Sequence, residues 1–197
     1  MKAISDGAFH ILIGHMELFM ALSARFKSLI RPMLFETDYD KGARILNFRQ
    51  RQEMVWFMLD GLAREIRVNE WSFKERTIWF WLPFTFLYTT PGFFSQQPSQ
   101  STIELLQDCH MVMISYDNWQ RLKRLFLETE KVTEMIRDAD VKLRLAHQEQ
   151  LRSMNTEDRY KENLGLMDRL FALTKRKFIA EFMGMSVDRI GKLRKKF

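Results

Sequence analysis

The 197-residue sequence contains one cysteine, Cys109. That excludes an internal disulfide framework and any multi-cysteine zinc site, and it fits a reducing cytoplasm. No stretch approaches about 18 uninterrupted apolar residues, so no membrane span and no membrane partner are expected. Asp6 and His10 interrupt the start of the chain, and no basic region leads a clean apolar run there, so no secretory leader is expected. Metal-ligand spacing is missing as well. His10 and His15 do not share a helix face well, and His110 and His147 stand alone. Cys109 and His110 are adjacent, so on a strand they point to opposite faces and cannot form a nucleophile–base pair. Cys109 reads as a small core or turn residue. No glycine-rich phosphate loop or nucleophile elbow is visible. The sequence therefore predicts neither an enzyme nor a metal or cofactor.

What remains is rich in material for a core. Hydrophobic residues make up 46%, charged residues 28% and aromatics 13%, with seventeen Phe and five Trp, which argues for a folded globular chain. The charge is unevenly placed. Residues 174–197 hold eight basic side chains against two acidic ones. The whole chain is +6, so everything upstream sums to zero. A neutral body with a basic end suits presentation of that end to a polyanion.

Hydrophobic spacing divides the chain. Phe9, Leu12, Met16, Phe19, Leu22, Phe26 and Leu29 recur at steps of three and four, which predicts one helix over 4–31 stopped by Pro32. From 32 to 115 the pattern is short strands: 43–48, the fully apolar 54–59, 62–68, 75–82, 102–106 and 111–115. Asp60-Gly61 reads as a hairpin turn. In 62–68, Leu62, Ile66 and Val68 are expected on one face and Ala63, Glu65 and Arg67 on the other, with Arg64 breaking the apolar face. This spacing suggests a small antiparallel barrel or roll. Trp119, Leu122 and Phe126 fit a helix capping it. Val132, Ile136, Ala139, Leu143 and Ala146 follow the 4-3-4-3 steps of a coiled-coil seam, and the two alanines allow close helix approach, so a homodimer is expected. Asn155 or Thr156 caps a further helix running to about Leu173.

The basic end reads as a helix-turn-helix. Ile179 and Ala180 lie in a first helix, Met183-Gly184-Met185 form the turn, and Ser186 caps a second helix containing Ile190 and Leu193. Gly184 can take the positive φ that the short turn requires. Asp188, Arg189, Lys192, Lys195 and Lys196 then point outward, as major-groove readers and phosphate contacts would. The sequence ends at Phe197 directly after this helix, so no wing is expected, and Lys175, Arg176 and Lys177 are expected to supply further phosphate contacts.

At this point the chain resembles the family of the cyclic-AMP receptor protein and FNR, the Crp/Fnr regulators. The match spans about Arg31 to the end. It is most specific in Asp158-Arg159-Tyr160 and in 177–186, KFIAEFMGMS, which look most like the Bacteroidetes-type branch. It is weaker in Lys41-Gly42, Asp60-Gly61-Leu62 and 106–109. The resemblance implies an α+β fold: an N-terminal helix (1–31), a cyclic-nucleotide-binding-like antiparallel β-roll (32–127), a dimerisation helix (128–154) and a helix-turn-helix without a full wing (155–197). It implies double-stranded DNA and a second copy of the chain as partners, RNA polymerase as a candidate third, and a small-molecule effector of unknown identity.

Two departures qualify what the resemblance implies. The family's Gly-Glu pair and phosphate-binding Arg are missing. The Arg position falls on Ser99, followed by Gln100 and Ser101, and residues 77–103 contain no charged side chain. Burying a phosphate there unpaired would cost several kcal/mol. A degenerate domain that does not respond to cyclic AMP is therefore expected. Any pocket, drawn from Trp81, Phe84, Phe86, Tyr88, Ser99, Gln100 and Ser101, suits an uncharged or aromatic ligand; a filled pocket is the other reading. In the recognition helix, the family's base-contacting Arg, Glu and Arg read Val187, Asp188 and Lys192. Asp188 suits a cytosine amino group, Lys192 a guanine and Val187 a thymine methyl, with Ser186 beside them at the cap. The expected function is a dimeric DNA-binding transcription regulator. The alternative is a ligand-sensing or protein-interaction module with a vestigial helix-turn-helix.

Overall fold

A computed structural model describes residues 2–69, 71–72 and 74–197. The chain opens with a short strand, β1 (Lys2–Ala3), then α1 (Asp6–Glu17) and α2 (Ala24–Ile30), followed by a 3-10 turn over Arg31–Met33. The single helix expected over 4–31 is thus two. The break is held by carboxylates: Glu17 accepts from the Leu22 N–H at 3.4 Å, and Glu128 accepts from the Ser23 N–H at 2.7 Å and its hydroxyl at 2.9 Å. Ser23 in turn caps α2. Those bonds satisfy backbone groups a continuous helix would have paired internally. Phe9, Leu12, Met16, Leu22 and Phe26 of the apolar stripe are buried, whereas Leu29 is exposed.

The central strands are β2 (Leu34–Tyr39), β3 (Arg44–Leu46), β4 (Met54–Asp60), β5 (Ala63–Val68), β6 (Glu75–Trp81), β7 (Phe86–Leu87), β8 (Ser101–Leu105) and β9 (Cys109–Ser115). They form two antiparallel sheets, ordered β1-β2-β9-β4-β7 and β3-β8-β5-β6. β4 and β5 do not pair, so Asp60-Gly61 is no hairpin. It carries the chain from one sheet to the other. Gly61 has φ +117°, and a Cβ there would stand 2.4 Å from Cys109 Sγ, so both the conformation and the space demand glycine. Cys109 is buried, and burial pushes its thiol up to about 11.

The alternation expected over 62–68 also fails. A bulge between Glu65 and Ile66 lets both bury, at 2% and 0% exposure. Arg64, expected to break the apolar face, is buried too. Its guanidinium meets Glu104 at 2.5 Å and the Thr77 hydroxyl at 2.9 Å, and lies over the Phe178 ring at 3.5 Å. A charge so paired and stacked is tolerated where a lone one would not be. β4 is apolar because it is covered on both faces. Phe57 joins the core under α1 and α2, while Trp56 and Met58 join the core between the sheets.

The chain then turns into α3 (Tyr116–Leu125) and the 27-residue α4 (Leu127–Ser153). Four short helices follow: α5 (Thr156–Glu162), α6 (Leu164–Leu173), α7 (Arg176–Phe182) and α8 (Val187–Lys196). The helix expected to run from Asn155 to Leu173 is interrupted at Asn163, whose amide bonds back to the Arg159 carbonyl at 2.8 Å and to Gln150 Oε1 at 2.9 Å. Asn155 is the cap, accepting from the Glu157 and Asp158 N–H groups. No helix among the described residues is long and apolar enough to cross a membrane.

Gly61→Ala is expected to destabilise the chain by at least about 2 kcal/mol, from backbone strain and the collision with Cys109 together. Urea denaturation monitored by tryptophan fluorescence checks it, and Gly42→Ala, at φ +88° but with nothing within 4 Å, separates strain from crowding.

Candidate nucleic-acid interface

α7 and α8 share one small core with α5 and α6. Tyr160, Met167, Leu170, Ile179, Ala180, Met183, Ile190 and Leu193 are all buried in it. The turn between α7 and α8 is tight: Gly184 takes φ +60°, and the Met185 N–H bonds to the Ala180 carbonyl at 3.0 Å. Ser186 caps α8 by accepting from the Arg189 N–H at 3.1 Å. Gly191 leaves room for Arg176, whose guanidinium nitrogen lies 3.1 Å from where a Cβ would be. α7 thus braces α8, and α8 turns its other side to solvent.

The outward residues fall into two groups. Val187, Asp188, Lys192 and Lys195 are exposed, and among the described residues the last three take part in no ion pair. Arg189 and Lys196 instead lean on the first turn of α5. Arg189 Nε donates to the Thr156 hydroxyl at 2.8 Å, and Lys196 Nζ meets Glu157 Oε1 at 2.7 Å. Lys196 and Lys161 hold the Glu157 carboxyl below its ordinary pKa. Lys175, Arg176 and Lys177 are exposed at the start of α7, with Lys177 3.9 Å from Glu181.

The pair of helices is fastened to the sheets. Glu181 accepts from the Thr77 N–H at 2.9 Å and its hydroxyl at 2.8 Å, and Arg76 donates to the Glu181 carbonyl at 3.2 Å. Phe182 packs on Trp79 and Phe80 of β6 and stacks on His147 of α4, ring centres 4.0 Å apart. His147 Nε2 lies 3.2 Å from the Phe182 carbonyl, so it donates there as the Nε2–H tautomer. Burial lowers the His147 pKa, with the Phe182 carbonyl opposing and Arg159 adding to the effect.

A second region lies where α4 crosses the sheets. Trp81, Phe84, Phe86 and Tyr88 line a groove of about 480 Å³ whose opposite wall carries Ile136, Ala139, Leu143 and Ala146. Ser99, Gln100 and Ser101 do not line it. Ser99 Oγ is 2.9 Å from Thr89 Oγ1 and 2.8 Å from the Ser101 carbonyl, and Gln100 accepts from Arg67. The expected seam is also divided. Val132 is 1% exposed and packs inside its own chain, with Ile136 partly so, while Leu143 is 63% exposed. Val132 is therefore placed where no partner can reach it.

Sequence reasoning missed the charges at this crossing. Residues 77–103 bring none, but α4 and β5 do. Arg144 bridges Glu65 at 2.7 Å and Asp140 at 2.9 Å and lies over Trp79 at 4.7 Å, and the Tyr88 hydroxyl donates to Asp140 at 3.1 Å. Burial works against the Arg144 charge, but Glu65 and Asp140 more than offset it and raise its pKa; burial and Asp140 push Tyr88 up as well. The i,i+4 spacing of Asp140 and Arg144 was the available signal. The partner on β5 had none.

No protein-family model matches the chain, and no curated protein matches it in sequence. Solved structures do match. FixK2 from Bradyrhizobium japonicum superposes with a TM-score of 0.72 at 15% identity, covering 83% of each chain. CLP, the c-di-GMP responsive global regulator of Xanthomonas campestris, gives 0.65 at 15%, covering 88% of this chain and 91% of its own. A protein proposed as a Crp/Fnr-family transcriptional regulator from Eubacterium rectale gives 0.71 at 15%, covering 93% and 87%. The fold is the cyclic-nucleotide-binding fold of the Crp/Fnr regulators.

The depressed pKa of His147 fixes the sign of a pH effect. The unfolded chain takes up a proton more readily, so stability is full above about pH 6.5 and falls as pH drops through that value toward the lower folded pKa. His15, also lowered by burial, acts in the same sense. Thermal melts from about pH 7.5 to about pH 5.5 are expected to show a shallower decline for His147→Phe than for the natural chain.

Proposed function

We propose that the chain is a dimeric, sequence-specific DNA-binding transcription regulator of the Crp/Fnr type that does not respond to cyclic AMP. The observation that carries the reading is α8. Its buried Ile190 and Leu193 are held by α7, and its outer side offers Asp188, Lys192 and Lys195 with no internal partner among the described residues. That is the division a recognition helix needs: one face fixed, one face free for base edges and phosphates. Lys175, Arg176 and Lys177 add positive charge at the start of α7. RNA polymerase would be a further partner of such a regulator.

Independence from cyclic AMP is supported by the crossing of α4 and the sheets. Arg144, the cation there, is already matched by Glu65 and Asp140. A cyclic phosphate would have to displace a carboxylate from it and bury that carboxylate unpaired, at a cost of a few kcal/mol. The dimer is supported by Leu143 and Ala146, exposed on the α4 face that the 4-3-4-3 spacing continues.

Three outcomes are expected. In electrophoretic shifts on a genomic fragment pool, the natural chain binds in a salt-sensitive manner, and Lys192→Ala weakens specific binding about 5- to 100-fold. A chain that binds no DNA at low salt, yet melts higher with a ligand or protein partner, is the interaction module instead. In sedimentation at micromolar concentration the chain is a dimer, and Leu143→Glu shifts it toward monomer without lowering its melting temperature. Millimolar cyclic AMP leaves that temperature unchanged.

A further inference from the structure

Position 191 is an odd place for glycine. Gly191 is the fifth residue of the ten-residue α8. In a helix interior glycine is second only to proline in being disfavoured. The backbone does not require it, because its φ is not in the left-handed region. The three atoms nearest to a Cβ there all belong to one side chain, Arg176 of α7. Nη1 would lie at 3.1 Å, Cζ at 3.7 Å and Cδ at 3.9 Å. What Gly191 gives the molecule is therefore room for Arg176.

The direction in which Gly191 faces decides what Arg176 can do. Ile190 and Leu193 are buried, which fixes the inner side of α8. Gly191 follows Asp188 by three residues and precedes Lys195 by four, so the three share one side of the helix. Asp188 and Lys195 are exposed, and so is Lys192 beside them. The Arg176 guanidinium thus lies on the outward side of α8, although its backbone belongs to α7. It stands in for the side chain that position 191 lacks. Arg176 is itself exposed, and among the described residues its side chain takes part in no ion pair.

We infer that Arg176 reads a base as well as adding charge: α7 lends α8 a guanidinium, and each operator half-site carries a guanine to meet it. The inference rests on the reading of the chain as a sequence-specific DNA-binding regulator. A recognition helix touches base edges with its N-terminal residues, and Gly191 lies in that half of α8. A guanidinium there presents two N–H donors in a fixed fork, which matches O6 and N7 of guanine. Lys175 and Lys177 flank Arg176 in sequence, but neither is among the atoms nearest to Gly191. They stay with the phosphates.

The test is selection of bound sequences from a random duplex pool by the full chain. Affinities are then measured on the selected site and its single-base variants. The natural chain is expected to prefer guanine at one position per half-site that Arg176→Ala relaxes by about 5- to 100-fold. That position differs from the one relaxed by Lys192→Ala. Arg176→Lys keeps the charge but loses the fork, so it should lose the same preference. Gly191→Ala pushes the guanidinium aside. It should weaken that preference while raising the melting temperature by about 2–4 °C, because alanine favours the helix. Lys175→Ala, by contrast, should weaken all sequences alike. The inference is overturned if Arg176→Ala lowers affinity uniformly across the variants, or if Arg176→Lys keeps the guanine preference. In both cases the natural chain still selects a site, so the regulator reading stands. A natural chain that selects no sequence overturns that reading and this inference together.

Discussion

The structure depends on β6 being apolar on both of its faces. Trp81 belongs to the core between the two sheets, and Phe80 belongs to the core shared with α5 to α8. Trp79 touches both. A strand used on one side only would leave either the sheets unclosed or α7 unsupported. Burying Phe80 and Phe182 against each other contributes about 1.5–3 kcal/mol per side chain. Around that apolar contact, Glu181 satisfies the Thr77 backbone and side chain, and Arg76 satisfies the end of α7. The terminal helices are therefore not a loose appendage but part of one packed body.

Much of this was legible in the sequence, and the reasons are local. The turn at Gly184, the cap at Ser186 and the buried Ile179, Met183, Ile190 and Leu193 follow from short-range chemistry, because a tight turn and a capped amphipathic helix are specified within about ten residues. β3, β4, β5, β6, β8 and β9 were found by their apolar or alternating runs, whereas β1, β2 and β7 were not. What failed needed distant partners. Asp60-Gly61 has the composition of a hairpin, and only the pairing of β4 with β9 and of β5 with β8 shows that it is a crossing. The break after α1 depends on Glu128, more than a hundred residues away. The register that put Ser99 among candidate pocket residues could not show that Ser99 is consumed by Thr89 and Ser101.

The α4 seam shows the same limit in another form. A 4-3-4-3 spacing states that one helix face is apolar, not whose surface covers it. Val132 and Ile136 are taken by the chain's own core, and Leu143 and Ala146 are left outside. The periodicity runs through two environments without a change of pattern. Arg144 lies one position off that stripe and turns inward to Glu65, so the same helix supplies both an apolar edge and a cation matched to the crossing's carboxylates.

Glu157 gives the basic end a further property. It already sits against Lys196 and within 3.9 Å of Arg189, so it acts as a counterion built into the chain. Cations neutralised this way hold fewer mobile ions to begin with. On the proposed reading, DNA would then displace a tethered carboxylate rather than free salt at those two positions. Because each free cation that meets a phosphate steepens the salt dependence of binding by about 0.9 in log–log slope, the slope would report fewer contacts than the eight basic residues of the segment suggest. Formal charge and thermodynamic charge would differ, and a single side chain on α5 would set the gap.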